Sequence, residues 1–227
     1  MRSIIFKTAT KEYDSFKDFS LVIKECNWKA GALRENRVQI PSRSGSVVYK
    51  LTNEPVYDDA TLEVKFALIR GLNNDWDGVI SAISNAVCGY EISIYKSWMS
   101  GWHYVGVPQI TDSSTSESTG EITMTITCDP YMLKNTVTTV SGTLTSKEIK
   151  TIILKNAYKW VVPTLSVGDS CSIDYTTPLG EKKTFTAEKS KTKYASFILK
   201  NGTTSFKISN LTSSSVNYSI SYQERKL

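Results

Sequence analysis

The sequence is poor in the residues that chemistry usually needs. It has one histidine, His103, in 227 residues, so any Ser-His-Asp or Cys-His arrangement would have to centre on it. His103 lies in "SGWHYVG", which alternates like a strand, and the chain has neither a G-x-S-x-G motif nor a Gly-rich phosphate loop. The four cysteines, Cys26, Cys88, Cys128 and Cys171, form no close pair. That spacing excludes a zinc-ligand motif and a small disulfide scaffold, and it reads as reduced, packed thiols. Apolar runs such as "SIIF" and "FALI" fall far short of the about twenty residues of a membrane span. The opening "MRSIIFKTATKEYDSFKD" is too briefly apolar for a secretory segment, so the expectation is folding in the cytoplasm. On that expectation Asn201, Asn210 and Asn217, each starting an N-x-[ST] match in Ser/Thr-rich sequence, carry no weight as glycosylation sites.

Two other groupings fail on geometry. Asp58 and Asp59 are adjacent on an extended segment, where neighbours face opposite ways, so they do not make an acid and base pair. Asn73, Asp75, Asp77 and Gly78 match the front of a calcium loop, but Ser84 stands where the closing glutamate belongs; helix capping explains them better. The reading is therefore no enzyme, no metal and no cofactor.

What is present is strand pattern. Leu62, Val64, Phe66 and Leu68 share one face of "TLEVKFAL", and Ile122, Met124, Ile126 and Cys128 share one face of "EITMTITC". Shorter runs are "SIIFK", "FSLVI", "EISIYK" and "WHYVGV", then "KTIIL", "WVVPTLSV", "CSIDY", "YASFIL", "TSFKIS" and "VNYSISY". One helix interrupts them. Trp76, Val79, Ile80, Ile83 and Val87 recur at helical spacing, with Asn74 or Asp75 as N-cap and Gly89 as terminator. In "SKEIKTIILKNA" the Thr145 to Glu148 spacing resembles a capping box, but the Ile and Thr content predicts a strand.

Charge divides the chain. Residues 1–129 hold 13 Lys and Arg against 16 Asp and Glu, net −3, whereas residues 130–227 hold 14 against 6, net +8. With the Ser/Thr-rich "CDPYMLKNTVTTVSGTLTSK", this places a join within 130–145 and predicts two domains, 1–135 and 140–227. In the basic half, Lys182, Lys183, Lys189, Lys191 and Lys193 gather around an expected loop. They suit an acidic protein face or an anionic cell-wall polymer. No aromatic interleaving or reading motif points to sequence-specific nucleic acid.

In "VQIPSRSGSVVY", Pro41 ends a strand, Gly45 supplies a turn, and Arg43 sits at the crown of a predicted hairpin. In order, the N-terminal strands, "IPSRSGS", "EPVYDDATLEVKF", the Trp-bearing helix, "YEISIYKSWMSGWHYVGV" and "TCDPY" resemble the distal tail protein family of long-tailed bacteriophages over residues 1–131. Ser42 stands where that family usually has glycine in P-G-R-[DNS]-G-[ST], while Arg43 and Gly45 are retained. The resemblance implies a mainly β structural protein of the virion tail. A β-sandwich-like N-terminal domain with one helix and a projecting hairpin would form a ring, expected to be hexameric, between the tail tube protein and the tail-associated hub protein. It also implies a galectin-like or carbohydrate-module-like C-terminal β-sandwich, to which "KNAYKWVVPTLSVGDSCSIDY", "SFILKNGTTSFKISN" and "VNYSISYQERKL" are similar. The subunit-contact set on and beside the hairpin would be Pro41, Arg43, Gly45, Tyr49 and Tyr57, with the Arg43 guanidinium forked onto a neighbour's carboxylate or carbonyl. Two alternatives stand beside this reading. One is a carbohydrate-binding module or tail adhesin with Trp160, Tyr194 or Tyr218 stacking on sugar; the other is a component of a tail-like bacteriocin or contractile tail.

Overall fold

A computed structural model describes residues 1–39, 44, 46–49, 55–69, 75–115 and 119–227. The chain divides into two compact units, Met1–Leu133 with Leu227, and Lys134–Lys226. Both are built from antiparallel strands, and the described residues contain one α-helix. No helix among them is long and apolar enough to cross a membrane.

The first unit runs β1 (Ile4–Lys7), β2 (Glu12–Asp14), β3 (Leu21–Lys29), β4 (Asn36–Gln39), β5 (Ser46–Tyr49), β6 (Ala60–Ile69), α1 (Trp76–Val87), β7 (Ile92–Lys96), β8 (Trp102–Thr115) and β9 (Thr119–Cys128). Seven of these strands hydrogen-bond in the order β2-β1-β7-β8-β9-β6-β3, and among the described residues β4 and β5 pair only with each other. The long strand β8, with which the short strand at Met132–Lys134 also pairs, divides its length between β7 and β9. Its first part pairs with β7 from Tyr104↔Ile94 to Gly106↔Ile92, and its second part follows β9 from Gly106↔Cys128 to Thr115↔Gly120. Gly106 is the one residue of β8 common to the β7 and β9 ladders, so the strand passes from one partner to the other at this corner. A side chain has no room at this corner: a Cβ on Gly106 would lie 2.4 Å from the Thr127 carbonyl oxygen and 2.9 Å from the Cys128 Cα.

The alternation expected in β6 and β9 then points into one core. Leu62, Val64, Phe66, Ile122, Met124 and Ile126 are fully buried there with Ile4, Phe6, Leu21 and Ile94. Each such side chain contributes about 1.5–3 kcal/mol of transfer free energy. The helix brings Val79, Ile83 and Val87 to the same core. Of the two N-cap candidates Asp75 takes the position, its carboxylate accepting from the Gly78 N–H at 2.9 Å; Asn74 lies outside the described residues.

The chain passes into the second unit within β10 (Met132–Lys134) and continues through β11 (Thr138–Leu144), β12 (Ile149–Asn156), β13 (Thr164–Val167), β14 (Cys171–Thr176), β15 (Lys182–Ala187), β16 (Gly202–Asn210), β17 (Val216–Tyr222) and β18 (Arg225–Lys226). Two sheets, β11-β17-β13 and β12-β16-β14-β15, enclose a core of aliphatic residues and the aromatic cluster Tyr175, Phe197 and Phe206. The spacing of Thr145 and Glu148 closes the turn between β11 and β12, as the Glu148 carboxylate accepts from the Thr145 N–H at 2.7 Å and from its hydroxyl at 2.9 Å.

Several expectations change. The segment "YASFIL" is not a strand. Phe197 and Leu199 are buried, but the backbone runs through turns with one bridge, Val161↔Leu199. Strand β8 extends eight residues beyond the apolar alternation, through the buried Pro108 and the exposed "TDSST", because β9 supplies its ladder. The three-residue β2 carries no readable pattern and exists by pairing with β1.

Because the corner has no space for a methyl group, Gly106→Ala is expected to cost about 1–3 kcal/mol in urea unfolding. Tryptophan fluorescence is the readout, since Trp28, Trp76, Trp98 and Trp102 lie in the first unit and only Trp160 in the second. A second expectation concerns Cys128, beside the same corner. Burial pushes its thiol from the ordinary 9.0 up to about 12. The unfolded thiol ionises first, so this contribution is complete below the ordinary value and is lost as pH rises towards the folded one. Cys128→Ala should therefore flatten the decline in stability between about pH 9 and about pH 11, measured by urea titration against wild type.

Candidate subunit-contact site and basic surface

The predicted hairpin forms. Strands β4 and β5 pair from Asn36↔Tyr49 to Gln39↔Ser46. Of the predicted contact residues, Pro41, Arg43 and Gly45 lie outside the described residues; Tyr49 ends β5 opposite Asn36, and Tyr57 lies at the hairpin's root.

That root is well defined. The β3–β6 ladder ends at Lys29↔Thr61, and two residues later Gly31 passes directly against the other limb. A Cβ there would lie 1.8 Å from the Asp58 carbonyl oxygen, so only glycine lets the limbs touch. Pairing then resumes: the Asp58 N–H donates to the Ala32 carbonyl and the Arg34 N–H to the Val56 carbonyl, both at 2.8 Å, with Leu33 bridged to Tyr57. The exposed side chains of Arg34 and Asp58 form an ion pair across the limbs. The half-buried Tyr57 ring meets Tyr131 edge-on at 6.3 Å, and the Tyr131 hydroxyl donates to the Pro55 carbonyl at 3.4 Å. Tyr57 thus braces the hairpin from below. Gly31, Arg34 and Tyr131 complete the brace, and sequence reasoning missed all three roles. Their only signals were a glycine just beyond a strand and the tyrosine of "TCDPY".

Beside this root runs a free sheet edge. Among the described residues strand β3 pairs with β6 alone, at one end of the strand order, and the short β2 lies at the other end. On the outer face of β3, β6 and β9, charges alternate in sign. Lys24 pairs with Glu121, Lys65 with Glu25 at 3.1 Å and Lys29 with Glu63 at 3.2 Å. Exposed pairs of this kind contribute at most about 1 kcal/mol each, so they tune the surface more than they hold the fold.

The basic residues of the second unit split into two groups. Lys182 and Lys183 lie on strand β15, not on a loop, and Lys183 pairs with Glu181 at 3.1 Å. Lys189, Lys191 and Lys193 are exposed on the following segment, which Tyr194 organises. The Tyr194 hydroxyl accepts from the Glu188 N–H at 2.9 Å and donates to the Lys191 carbonyl at 3.2 Å, and the Lys191 ammonium lies 4.9 Å from its ring centre. That work corrects an expectation. Tyr194 is only 7% exposed and Tyr218 only 4%, so neither offers a face to a sugar; Trp160 is half-buried, its carbonyl accepting from Arg225 Nε at 2.5 Å. The described polar groups buried in the first unit are partnered, and the Cys26 thiol interacts with the Lys96 ammonium. His103 is buried with its ring 4.8 Å from that of Tyr95, and the buried Lys96 ammonium donates to the Tyr104 hydroxyl at 3.1 Å. Among the described residues no cluster of three or more His, Cys, Asp or Glu side chains is placed to hold a metal ion.

The fold as a whole has a solved counterpart. The fold is similar to that of the Dit protein (gp 19.1) of phage SPP1. The likeness has a TM-score of 0.68 at 14% sequence identity and covers 100% of both chains. The SPP1 protein is described as a paradigm of the hub adsorption apparatus in phages that infect Gram-positive bacteria. No protein-family model and no curated protein matches the chain.

Gly31→Ala is expected to loosen the root selectively. Hydrogen exchange at the Arg34 and Asp58 amides should accelerate relative to amides of the β6–β9 ladder. Arg34→Ala, which removes only an exposed ion pair, should shift unfolding stability by less than about 1 kcal/mol.

Proposed function

We propose that the protein is a structural component of a phage tail, forming a ring at the distal end of the tail tube and joining it to the hub or host-recognition apparatus. The observation that carries this reading is the end-to-end likeness to a hub protein, which spans both units and includes no part left over. The physics of the first unit supports it. A closed ring of identical subunits needs two different surfaces per subunit that meet head to tail. The open edge of β3 and the β4–β5 hairpin supply one candidate pair, since backbone groups at a sheet edge demand partners.

On this reading the crown residues Pro41, Arg43 and Gly45 reach the neighbouring subunit, and Tyr57 sets the angle of the hairpin that carries them. Tail tube protein and tail-associated hub protein are the axial partners. The exposed lysines Lys182, Lys189, Lys191 and Lys193 face an acidic tail protein or an anionic wall polymer and steer its approach. The role is structural, without catalysis, and its place is the virion tail.

Native mass spectrometry with negative-stain imaging of the full chain tests the reading. A closed, six-fold ring is expected; a monomer at high concentration, alone and with the tube protein, would overturn it. Within the ring, Arg43→Ala should lower the ring fraction while leaving the melting temperature of the monomer unchanged, because a turn-crown side chain contributes little to a core. Equal loss in both measurements would return Arg43 to a purely local role in its turn.

A further inference from the structure

The sandwich of the second unit has four sheet edges, and they are not equally defended. The edge of β13 is closed by its own chain, through the Thr164↔Lys193 and Val161↔Leu199 bridges and the bond from the Leu165 N–H to the Thr192 carbonyl at 2.8 Å. Strand β15 is only six residues long, and β11 presents small hydroxyl side chains around Gly142. Strand β12 differs from all three. It runs eight residues, "IKTIILKN", without proline or bulge, in unbroken register with β16 from Ile149↔Ser209 to Asn156↔Gly202. Among the described residues no strand pairs with its other side, where the Tyr222 hydroxyl donates to the Lys155 carbonyl at 2.5 Å and the backbone groups of Ile149, Thr151 and Ile153 face outward. Ile152 and Leu154 fill the core, while Ile149 and Ile153, on the opposite face, are 66% and 60% exposed. Natural proteins rarely leave so long and apolar an edge bare unless something covers it.

The charge around the edge says what does. Lys150 and Lys155 lie on β12, Lys147 precedes it and Lys207 stands on β16 opposite Thr151. The carboxylates along it are engaged: Glu148 accepts both hydrogen bonds of Thr145, Asp174 on β14 accepts the Thr184 hydroxyl at 2.6 Å, and Glu224, at the far end of the strand, accepts from the Ala157 N–H at 2.8 Å and pairs with Lys134. A second copy of β12 is a poor occupant. Antiparallel pairing centred on Ile152 and Ile153 would set Lys150 against Lys155 twice, and like charges directly opposite are unfavourable.

We propose that the free edge of β12 accepts an extended acidic segment of another protein as an added strand. Carboxylates of that segment oppose Lys150 and Lys155, and its apolar side chains pack beside Ile149 and Ile153. Main-chain hydrogen bonds supply affinity, and the two lysines, five residues apart on opposite faces of the strand, set the register. This inference needs only the second unit and is independent of ring formation.

The test uses the full chain and a capped ten-residue peptide of valine and threonine with two glutamates five positions apart; a control peptide carries lysines in their place. Fluorescence anisotropy should show saturable binding of the acidic peptide alone, and hydrogen exchange should slow within residues 149–155. The double substitution Lys150→Glu, Lys155→Glu should weaken binding about tenfold, as should Ile153→Lys, with unchanged melting temperatures because all three side chains are exposed. Absent binding, equal binding of the two peptides, or protection confined to other strands would overturn the proposal. So would binding lost on Lys189→Glu with Lys191→Glu but kept in the β12 variants, since that outcome assigns the acidic segment to the loop.

Discussion

Gly106 carries two partners at once, Ile92 on one side and Cys128 on the other, and the first unit is organised around that shared position. A single strand that belongs to two ladders ties both halves of the sheet to one backbone. The halves cannot slide apart without breaking register in β8, and register in a half-buried strand is costly to change because every side chain would switch faces. Phe66 and Met124 from one half and Phe6 and Ile94 from the other therefore meet in a fixed arrangement, and α1 lays Val79, Ile83 and Val87 onto it. Cys128 and Tyr104 sit beside this corner, which is why so polarisable and so large a residue are both buried there.

The strand order also decides where the unit ends. It leaves β2 and β3 as the two outer strands, one of three residues and the other of nine. A short edge is self-limiting; a nine-residue edge offers a template. The chain leaves β3 into the hairpin root, so a rigid, extended element starts next to an open row of backbone groups. The root owes its rigidity to close backbone approach at Gly31 and to the Tyr57–Tyr131 contact, not to charge, because the Arg34–Asp58 pair is exposed on both sides. The paired charges on the neighbouring outer face leave no excess of one sign along these strands.

Much of this was legible in sequence. Period-two alternation placed β6 and β9 and named their inward residues, and helical spacing with an acidic cap placed α1, because in each case a local pattern reports one buried face. Legibility failed where burial is decided by distant chain. Beyond Pro108 the polar half of β8 has no apolar alternation, and only the ladder of β9 makes it a strand. Tyr194 and Tyr218 resemble exposed aromatics in a Ser/Lys-rich context, yet one organises a turn from within and the other lies inside the sandwich against Gly142. "YASFIL" carries strand composition, but its buried Phe197 is reached by turns, since no neighbouring strand is free to pair along its length. At the hairpin, the tyrosine that steadies Tyr57 came from 74 residues away.

Lysines in the second unit divide along the same physical line, between groups that act at a distance and groups that act in contact. Lys189, Lys191 and Lys193 lie close together on an exposed segment, where their field adds up but is screened over about 8 Å at physiological salt. Such a cluster raises encounter rates and has no means of choosing register. Lys150 and Lys155 are fixed by an eight-residue ladder, on opposite faces of one strand, with exposed isoleucines between and beside them. Position rather than charge number distinguishes them: an incoming strand that satisfies both lysines has a single alignment in which its backbone also completes the sheet. A surface built this way gains specificity from geometry that the sandwich core already enforces, and it does so without any side chain moving.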